Sequence, residues 1–535
     1  MSNYIINRLK VVNYRALKHG DFRFNDGVNI IVGDNEAGKS TLLECITLAL
    51  SGQINGRSAL YELHPMLFNI EIIQDYIKSI NSGLRAAPPS IKIEIFFQDV
   101  PELAALRGTN NTEGDNCPGV TFSFEFDEDF TVEYGEYISR PAEVRSIPIE
   151  YYKVKWLSFA FNSVTSRSIP VTPVTVDASR VVNIFGASKY VSDLVRTLPI
   201  SERVNLSLSF RRMKDAFLSD DAVKKINTKL AGKKGDISDK VMSMSLDSSA
   251  RGGWEGSVMP HLDDVPVSLV GKGEQNSVKI KLALENNLDA HILLVEEPEN
   301  HLSYSRLNGL IDRITQKAAG RQSFITTHSS FVLNKLGINN VLLFNGATTV
   351  SLSSLSLSTY EYFRKLPGHD TLRLILSRRT ILVEGPSDEL IVQKAFNMVH
   401  HASPLERGVD VISVRGLAFL RFLEIAAKID RRVDVVTDND KDVAKVHAKY
   451  ADYNGLPNIR INVDPDNDFP TLEPQLLKWN NRATLNTILG TTFATDGELV
   501  DYMTKPNNKT DVALKLFDTN TPFSMPQYIL NAVNE

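Results

Sequence analysis

The stretch Gly33-Asp34-Asn35-Glu36-Ala37-Gly38-Lys39-Ser40-Thr41 constrains the fold more than any other part of the chain. It follows the apolar run Val28–Val32 and precedes Leu42, Leu43, Ile46 and Leu50, which recur at helical spacing. A G-x-x-x-x-G-K-[ST] loop between strand and helix lets backbone N–H groups curl around phosphate oxygens at a helix N-terminus. That arrangement predicts an α/β unit. Lys39 would reach the β- and γ-phosphates of ATP and Ser40 would ligate Mg²⁺, while Gly33, Asn35, Ala37, Gly38 and Thr41 complete the cradle.

Further segments fit the same chemistry. Ala290 to Val295 reads as an apolar strand that ends on Glu296-Glu297-Pro298-Glu299. One carboxylate of such a pair can hold the Mg²⁺ water shell while its neighbour polarises the attacking water. We assign Glu296 the first role and Glu297 the second. Gly271-Lys272-Gly273-Glu274-Gln275 is a glycine-rich turn opening a helix, so Gly271 and Gly273 suit contact with a γ-phosphate. Phe324-Ile325-Thr326-Thr327-His328-Ser329 is a strand ending in a polar switch, with His328 at its tip, and Gln98 follows the strand-like Ile91–Phe97.

A second acidic set stands downstream. Ile381-Leu382-Val383 ends on Glu384, with Asp388 four residues on, in the first turn of a helix predicted over Ser387–Met398. Val433–Val436 leads into Thr437-Asp438-Asn439-Asp440. In extended chain, residues i and i+2 send their side chains the same way, so Asp438 and Asp440 are predicted to converge. Few, hard oxygen ligands suit Mg²⁺ or Mn²⁺.

At 535 residues the chain exceeds one hydrophobic core. The predicted divisions are 1–187 and 251–366, two parts of one ATPase head; 188–250, a helical insert; and 367–535, a second α/β domain after Pro367-Gly368-His369. No apolar run approaches the roughly eighteen residues of a membrane span. Cys45 and Cys117 lack metal-ligand spacing, so a cytoplasmic chain is expected. The net charge of −5 does not advertise nucleic-acid binding, but phosphates are met by local patches, and basic doublets such as Arg211-Arg212 and Arg431-Arg432 occur.

In order, these motifs resemble the ABC ATPases of the SMC and RecF type, through Asn13-Tyr14-Arg15, the phosphate loop, GKGEQN, LLVEEPENHL and TTHSS. The resemblance implies that the signature of one head closes on the ATP of another, hence a homodimer or larger assembly through the head and its insert. Glu296 departs from the aspartate usual at that place, and Gln98, at the end of Ile95-Phe96-Phe97, is the candidate that the resemblance offers for the Q-loop glutamine beside the nucleotide. Glu384, Asp438 and Asp440 resemble the metal site of the Toprim fold. An ATPase head followed by Toprim is the arrangement of the OLD (overcoming lysogenization defect) family nucleases. In that family Thr471-Leu472-Glu473 matches an [ST]-x-E element and Lys509 a late lysine. The resemblance implies that Glu384, Asp388, Asp438, Asp440 and Glu473 hold two metals and that Lys509 stabilises charge on the scissile phosphate. It implies an ATP-regulated, Mg²⁺- or Mn²⁺-dependent endonuclease or nickase acting on double-stranded DNA, with a place in anti-phage defence. OLD nucleases occur alone, beside a helicase as in Gabija, or beside a reverse transcriptase–DNA complex as in retrons. The rival expectation is a RecF-like, ATP-dependent DNA-binding protein whose Toprim domain only recruits partners.

Overall fold

A computed structural model of the chain describes residues 4–34, 37–84, 86–177, 198–234, 239–246, 254, 260–286, 290–318, 320–344, 347–353, 355–414 and 418–534. The N-terminal portion contains two sheets. One is antiparallel and runs Leu17–Arg23, Ile6–Tyr14, Ile91–Phe97, Cys117–Phe126, with Tyr152–Ser158 on the last of these. The other runs Pro173–Asp177, Ile292–Glu296, Gln322–Thr326, Val28–Val32, Val341–Phe344, all parallel, and closes with antiparallel Thr349–Ser351. Parallel strands are covered on both faces, which is why Ile292–Val295 and Ile30–Val32 are uninterrupted apolar runs.

The helix Lys39–Ser51 lies between these two sheets. Leu42, Leu43, Cys45, Ile46, Leu48, Ala49 and Leu50 are all buried, so it is apolar around most of its circumference rather than along one stripe. Gly38 (φ +103) turns the chain into it, and Gly52 (φ +66) ends it in the left-handed conformation with its N–H on Leu48 O.

The insert forms Ile200–Ser219 and Asp221–Ala231. No residue of the longer helix is buried, and Val204, Leu208, Met213 and Phe217 are exposed.

The C-terminal sheet is fully parallel, in the order Val409–Ser413, Arg379–Val383, Arg432–Val436, Ile459–Asn462. One face packs under the helices Pro386–His400, Leu472–Trp479, Pro506–Asp518 and Gln527–Val533. The other face shares a single hydrophobic core with the mostly parallel sheet of the N-terminal portion, in which Ile30, Ile325 and Leu333 belong with Phe363, Leu372, Phe422 and Val435. The predicted boundary at Pro367–His369 is therefore no free linker. Asn334 donates to the carbonyls of Pro367 and His369 (both 3.1 Å), and Thr371 donates to Asn334 Oδ1 at 2.8 Å.

Candidate functional site

The nucleotide loop begins at the end of Val28–Val32. A Cβ on Gly33 would stand 2.5 Å from Phe344 O, so only glycine fits against that strand. Lys39 is buried and its Nζ donates to Gly33 O and Asp34 O, both at 2.8 Å, holding the loop around its own ammonium. Burial pulls the Lys39 amine below its ordinary range, against the opposing charges of Glu297 and Asp34. Ser40 is exposed at the first turn, while Thr41 is buried behind it. Asn35 lies outside the described residues.

Glu296 ends its strand opposite Thr326, and Glu297 takes a left-handed turn at φ +43. The Glu297 N–H donates to Thr326 O at 3.0 Å, and Asn300 Nδ2 donates to its carboxylate at 2.7 Å. His328 Nε2 stands 3.7 Å from the same carboxylate. Burial and the Lys39 charge lower the His328 imidazole, with Glu297 opposing them, so at neutral pH it is the neutral ring. Lys39, Glu297 and His328 thus converge at the C-terminal ends of neighbouring parallel strands.

The glycine-rich turn at Gly271 and Gly273 lies against the loop after the double acid. Gly271 O accepts the N–H groups of Glu274 and Gln275 at the start of Lys272–Asn286. A Cβ on Gly273 would stand 2.4 Å from His301 O, so the turn presses directly on the loop after the double acid. Gln98 is elsewhere. Its N–H bonds to Ile5 O, and Ile6 bonds to Gln322 at the start of that strand, the sheet end opposite the phosphate loop. The expectation for Gln98 fails because Ile91–Phe97 runs antiparallel to Ile6–Tyr14 and carries its C-terminal end away from the loop.

The second set assembles at the C-terminal ends of the other parallel sheet. Glu384 follows Val383 and accepts from Thr437 Oγ1 at 2.8 Å. Asp388, in the first turn of Pro386–His400, accepts the Gly385 N–H at 3.0 Å and so also caps that helix. Glu473 is 4 % exposed, accepts from Thr471 Oγ1 at 2.9 Å and pairs with Lys509 Nζ at 2.9 Å. Burial and then the neighbouring Asp388, Glu384 and Glu473 push the Asp438 carboxyl up to about 9. Burial and then Glu384 push Asp388 up to about 6. Burial alone would depress Lys509, but Glu473 together with Asp438 and Asp388 outweighs it and raises the amine. Glu384, Asp388, Asp438, Glu473 and Lys509, distant in sequence, form one electrostatic cluster.

Asp440 stands on a different backbone. The predicted convergence with Asp438 assumed extended backbone, but Asp440 (φ +50) and Lys441 (φ +70) are left-handed, and Asp440 is exposed. The residue between the two aspartates is the anchor instead. Asn439 is fully buried and its Nδ2 donates to the carbonyls of Asp464, Asp466 and Phe469.

Several residues escaped the sequence reading. Asp464, 3 % exposed, stands just past the strand Ile459–Asn462, the equivalent of Asp438 one strand over. Tyr528 is buried, and its hydroxyl feels Asp438, Asp388, Asp464 and Glu473. Glu299 braces the switch, accepting from Thr327 Oγ1 at 2.8 Å and from the His328 N–H at 2.7 Å. Burial raises the Glu299 carboxyl. Pro298, in the turn that carries Glu299, was the available signal for it.

The carboxylates have the donor chemistry of a hard-cation site and an excess of negative charge that one lysine does not balance. Among the described residues, no three such side chains are already turned to a common coordination point. Their present partners are hydroxyls, a backbone N–H and Lys509.

Comparisons with known proteins follow the same division. Residues 8–155 match the model of an AAA domain, residues 194–334 that of an "AAA domain, putative AbiEii toxin, Type IV TA system", and residues 375–440 that of an "Overcoming lysogenization defect protein-like, TOPRIM domain". Endonuclease GajA of Bacillus cereus (strain VD045) is 24% identical over 152 residues, 28% of this chain and 26% of GajA. The DNA double-strand break repair Rad50 ATPase of Methanopyrus kandleri is 48% identical over 46 residues, 9% of this chain and 5% of Rad50. A solved structure of RecF with ATP aligns at 14% identity and a TM-score of 0.34, over 65% of this chain and 99% of that one. The chain thus spans about a quarter or less of the curated relatives it matches. In domain content it carries AAA ATPase domains followed by an overcoming-lysogenization-defect-like TOPRIM domain.

Proposed function

We propose that the chain is an ATP-binding and ATP-hydrolysing, divalent-metal-dependent endonuclease or nickase acting on double-stranded DNA, an effector of anti-phage defence. One observation carries the reading. Glu384, Asp388, Asp438 and Glu473 cluster with Lys509 at strand ends of the TOPRIM domain, and that domain shares a core with a nucleotide-binding head. A DNA-recruiting scaffold of the RecF type would have no need to concentrate like charges in this way.

Mg²⁺ or Mn²⁺, when bound, supplies charge for the scissile phosphate and a lowered pKa for a water. Glu384 and Asp438 would hold it, with Asp388 and Glu473 completing the donor set. Thr437 fixes the Glu384 carboxylate and Asn439 fixes the turn that presents Asp438. Lys509, released from Glu473, has the charge to meet a non-bridging phosphate oxygen. In the head, Lys39 holds the nucleotide phosphates, Glu297 orients the attacking water, and neutral His328 stands beside that carboxylate. Ser40 and Glu296 provide the oxygen donors for the nucleotide's Mg²⁺.

The test is cleavage of supercoiled plasmid by purified protein in Mg²⁺ or Mn²⁺, with and without ATP. Asp438→Ala or Glu384→Ala should abolish nicking and leave ATP hydrolysis within about twofold, since the hydrogen bonds and ion pairs of Glu384, Asp388 and Glu473 go to residues other than those that Lys39, Glu297 and His328 bond. Cleavage that survives Asp438→Ala, once contaminating nucleases are excluded, removes the nuclease reading in favour of the RecF-like one.

A further inference from the structure

A cleft of about 560 Å³ opens between the nucleotide loop and the starts of the TOPRIM strands, the ends opposite Glu384 and Asp438. On the ATPase side it is lined by Asp34, from the nucleotide loop, and by His328, at the switch. On the TOPRIM side it is lined by Arg373, Arg378 and Asp410. Arg373 is already committed to Asp410, 3.0 Å from Nε to Oδ2. Arg378 is exposed and, like the Asp34 carboxylate, makes no hydrogen bond or ion pair among the described residues. A third basic group stands nearby. Arg431 donates to Ile375 O at 2.6 Å, its Nε is buried without a partner, and the opposing charge that acts on it is Asp34.

The positions of these arginines give the cleft its meaning. Arg378 immediately precedes the strand Arg379–Val383, and Arg431 immediately precedes Arg432–Val436. The two strands are hydrogen-bonded in register, Arg379 opposite Arg432. Their far ends carry Glu384 and Asp438. Each strand is about 15 Å long at some 3.3 Å per residue. The pair is cross-braced by the buried Asp434, which accepts from Arg379 Nε at 2.8 Å and from Arg460 Nε at 2.6 Å. Displacement at the arginine end is thus delivered to the carboxylate end with little give.

The nucleotide loop can supply the displacement. Lys39 Nζ donates to the Gly33 carbonyl and also to that of Asp34. A phosphate that takes the Lys39 ammonium frees that carbonyl and resets the backbone carrying the Asp34 carboxylate.

We infer that Arg378 and Arg431 are positioning residues that read the nucleotide loop through Asp34 and transmit its state along the paired strands to Glu384 and Asp438. This deepens the proposed function by naming how ATP regulates the TOPRIM site, and it rests on nucleotide binding but not on DNA cleavage.

Hydrogen–deuterium exchange on the full-length protein tests it, with AMP-PNP as the probe and a fluorescent ATP analogue to measure affinity. AMP-PNP should change exchange in segments 384–390 and 437–443 at least fivefold in the native protein, the lower end of ordinary coupling. In Arg378→Gln and in Arg431→Gln that change should shrink to less than about twofold while affinity stays within twofold, and Arg431→Lys should restore part of it. Arg378 is exposed, so its variant folds even if the Arg431 variant does not. An undiminished response in Arg378→Gln, or no response in the native protein, overturns the inference. Absence of plasmid cleavage with an intact exchange response overturns only the nuclease reading. Failure of AMP-PNP to bind overturns the inference and the nucleotide-binding part of the proposed function, not the nuclease reading.

Discussion

Asp438 carries the clearest residue-scale consequence. Its carboxyl is held near 9 and that of Asp388 near 6, both above the ordinary aspartate value of about 3.9. A raised folded-state value means that the native protein holds protons which the unfolded chain has lost. The stabilisation is full below about pH 4 and disappears as pH rises through 6 and then 9. In chelator the thermal midpoint should therefore fall by several degrees between pH 6 and 9. Mg²⁺ or Mn²⁺ should remove much of that fall, and Asp438→Asn should flatten it in chelator. A midpoint that rises with pH in chelator contradicts the cluster. In the head, Lys39→Ala should abolish ATP binding. Glu297→Gln should retain binding and slow turnover by about a hundredfold or more, as loss of a water-polarising group does; normal turnover reassigns that role. The grouping of Lys39, Glu297 and His328 was legible from motif order, because strand ends in a parallel sheet necessarily meet on one edge. Glu299 and Asp464 were not, since an acidic residue in a loop looks the same in sequence whether it braces a turn or meets solvent.

At the scale of elements, the brace formed by Arg379, Asp434 and Arg460 is the most exposed to test. Asp434 is fully buried in the middle of a strand, and Arg379 is also satisfied by the carbonyls of Ala532 and Asn534. Asp434→Ala strands a buried guanidinium, so about 3–5 kcal/mol of unfolding free energy should be lost, read by urea denaturation. A loss under about 1 kcal/mol would show that Arg379 finds enough in the terminal carbonyls. Strand and helix identity was largely readable here, from the apolar runs of the parallel sheets and from the predicted Ser387–Met398 helix, which spans Pro386–His400. For Asp440 and Gln98 the local reading took no account of direction. A left-handed residue cancels strand alternation, and an antiparallel partner reverses which end of a strand faces the loop; neither is encoded in local periodicity.

Across the whole molecule, the ATPase and TOPRIM sheets share one core, so they should unfold in one transition. A chain cut at residue 366 would leave Leu333, Leu336 and Phe363 without Leu372, Ile375 and Phe422, and should be recovered aggregated rather than as a folded head. Two separate calorimetric transitions would contradict this. The exposed apolar side chains of Ile200–Ser219 call for cover, and the proposed cover is a second copy. Light scattering should give a dimer or larger, and Leu208→Glu should reduce it. The sequence reading treated Pro367–His369 as a seam, because a proline–glycine pair marks a turn whether or not the flanking segments pack together. The contact of Gly273 with His301 O has a last consequence, strengthened by Asn276 on Asn300 O at 3.1 Å and Arg306 on Glu274 at 2.5 Å. The turn that would complete a facing head's site is bolted to the loop that follows this head's own double acid. In the proposed pair of copies, firing at one site would shift the part on which the other depends, and ATP consumption should climb with nucleotide concentration more steeply than a hyperbola.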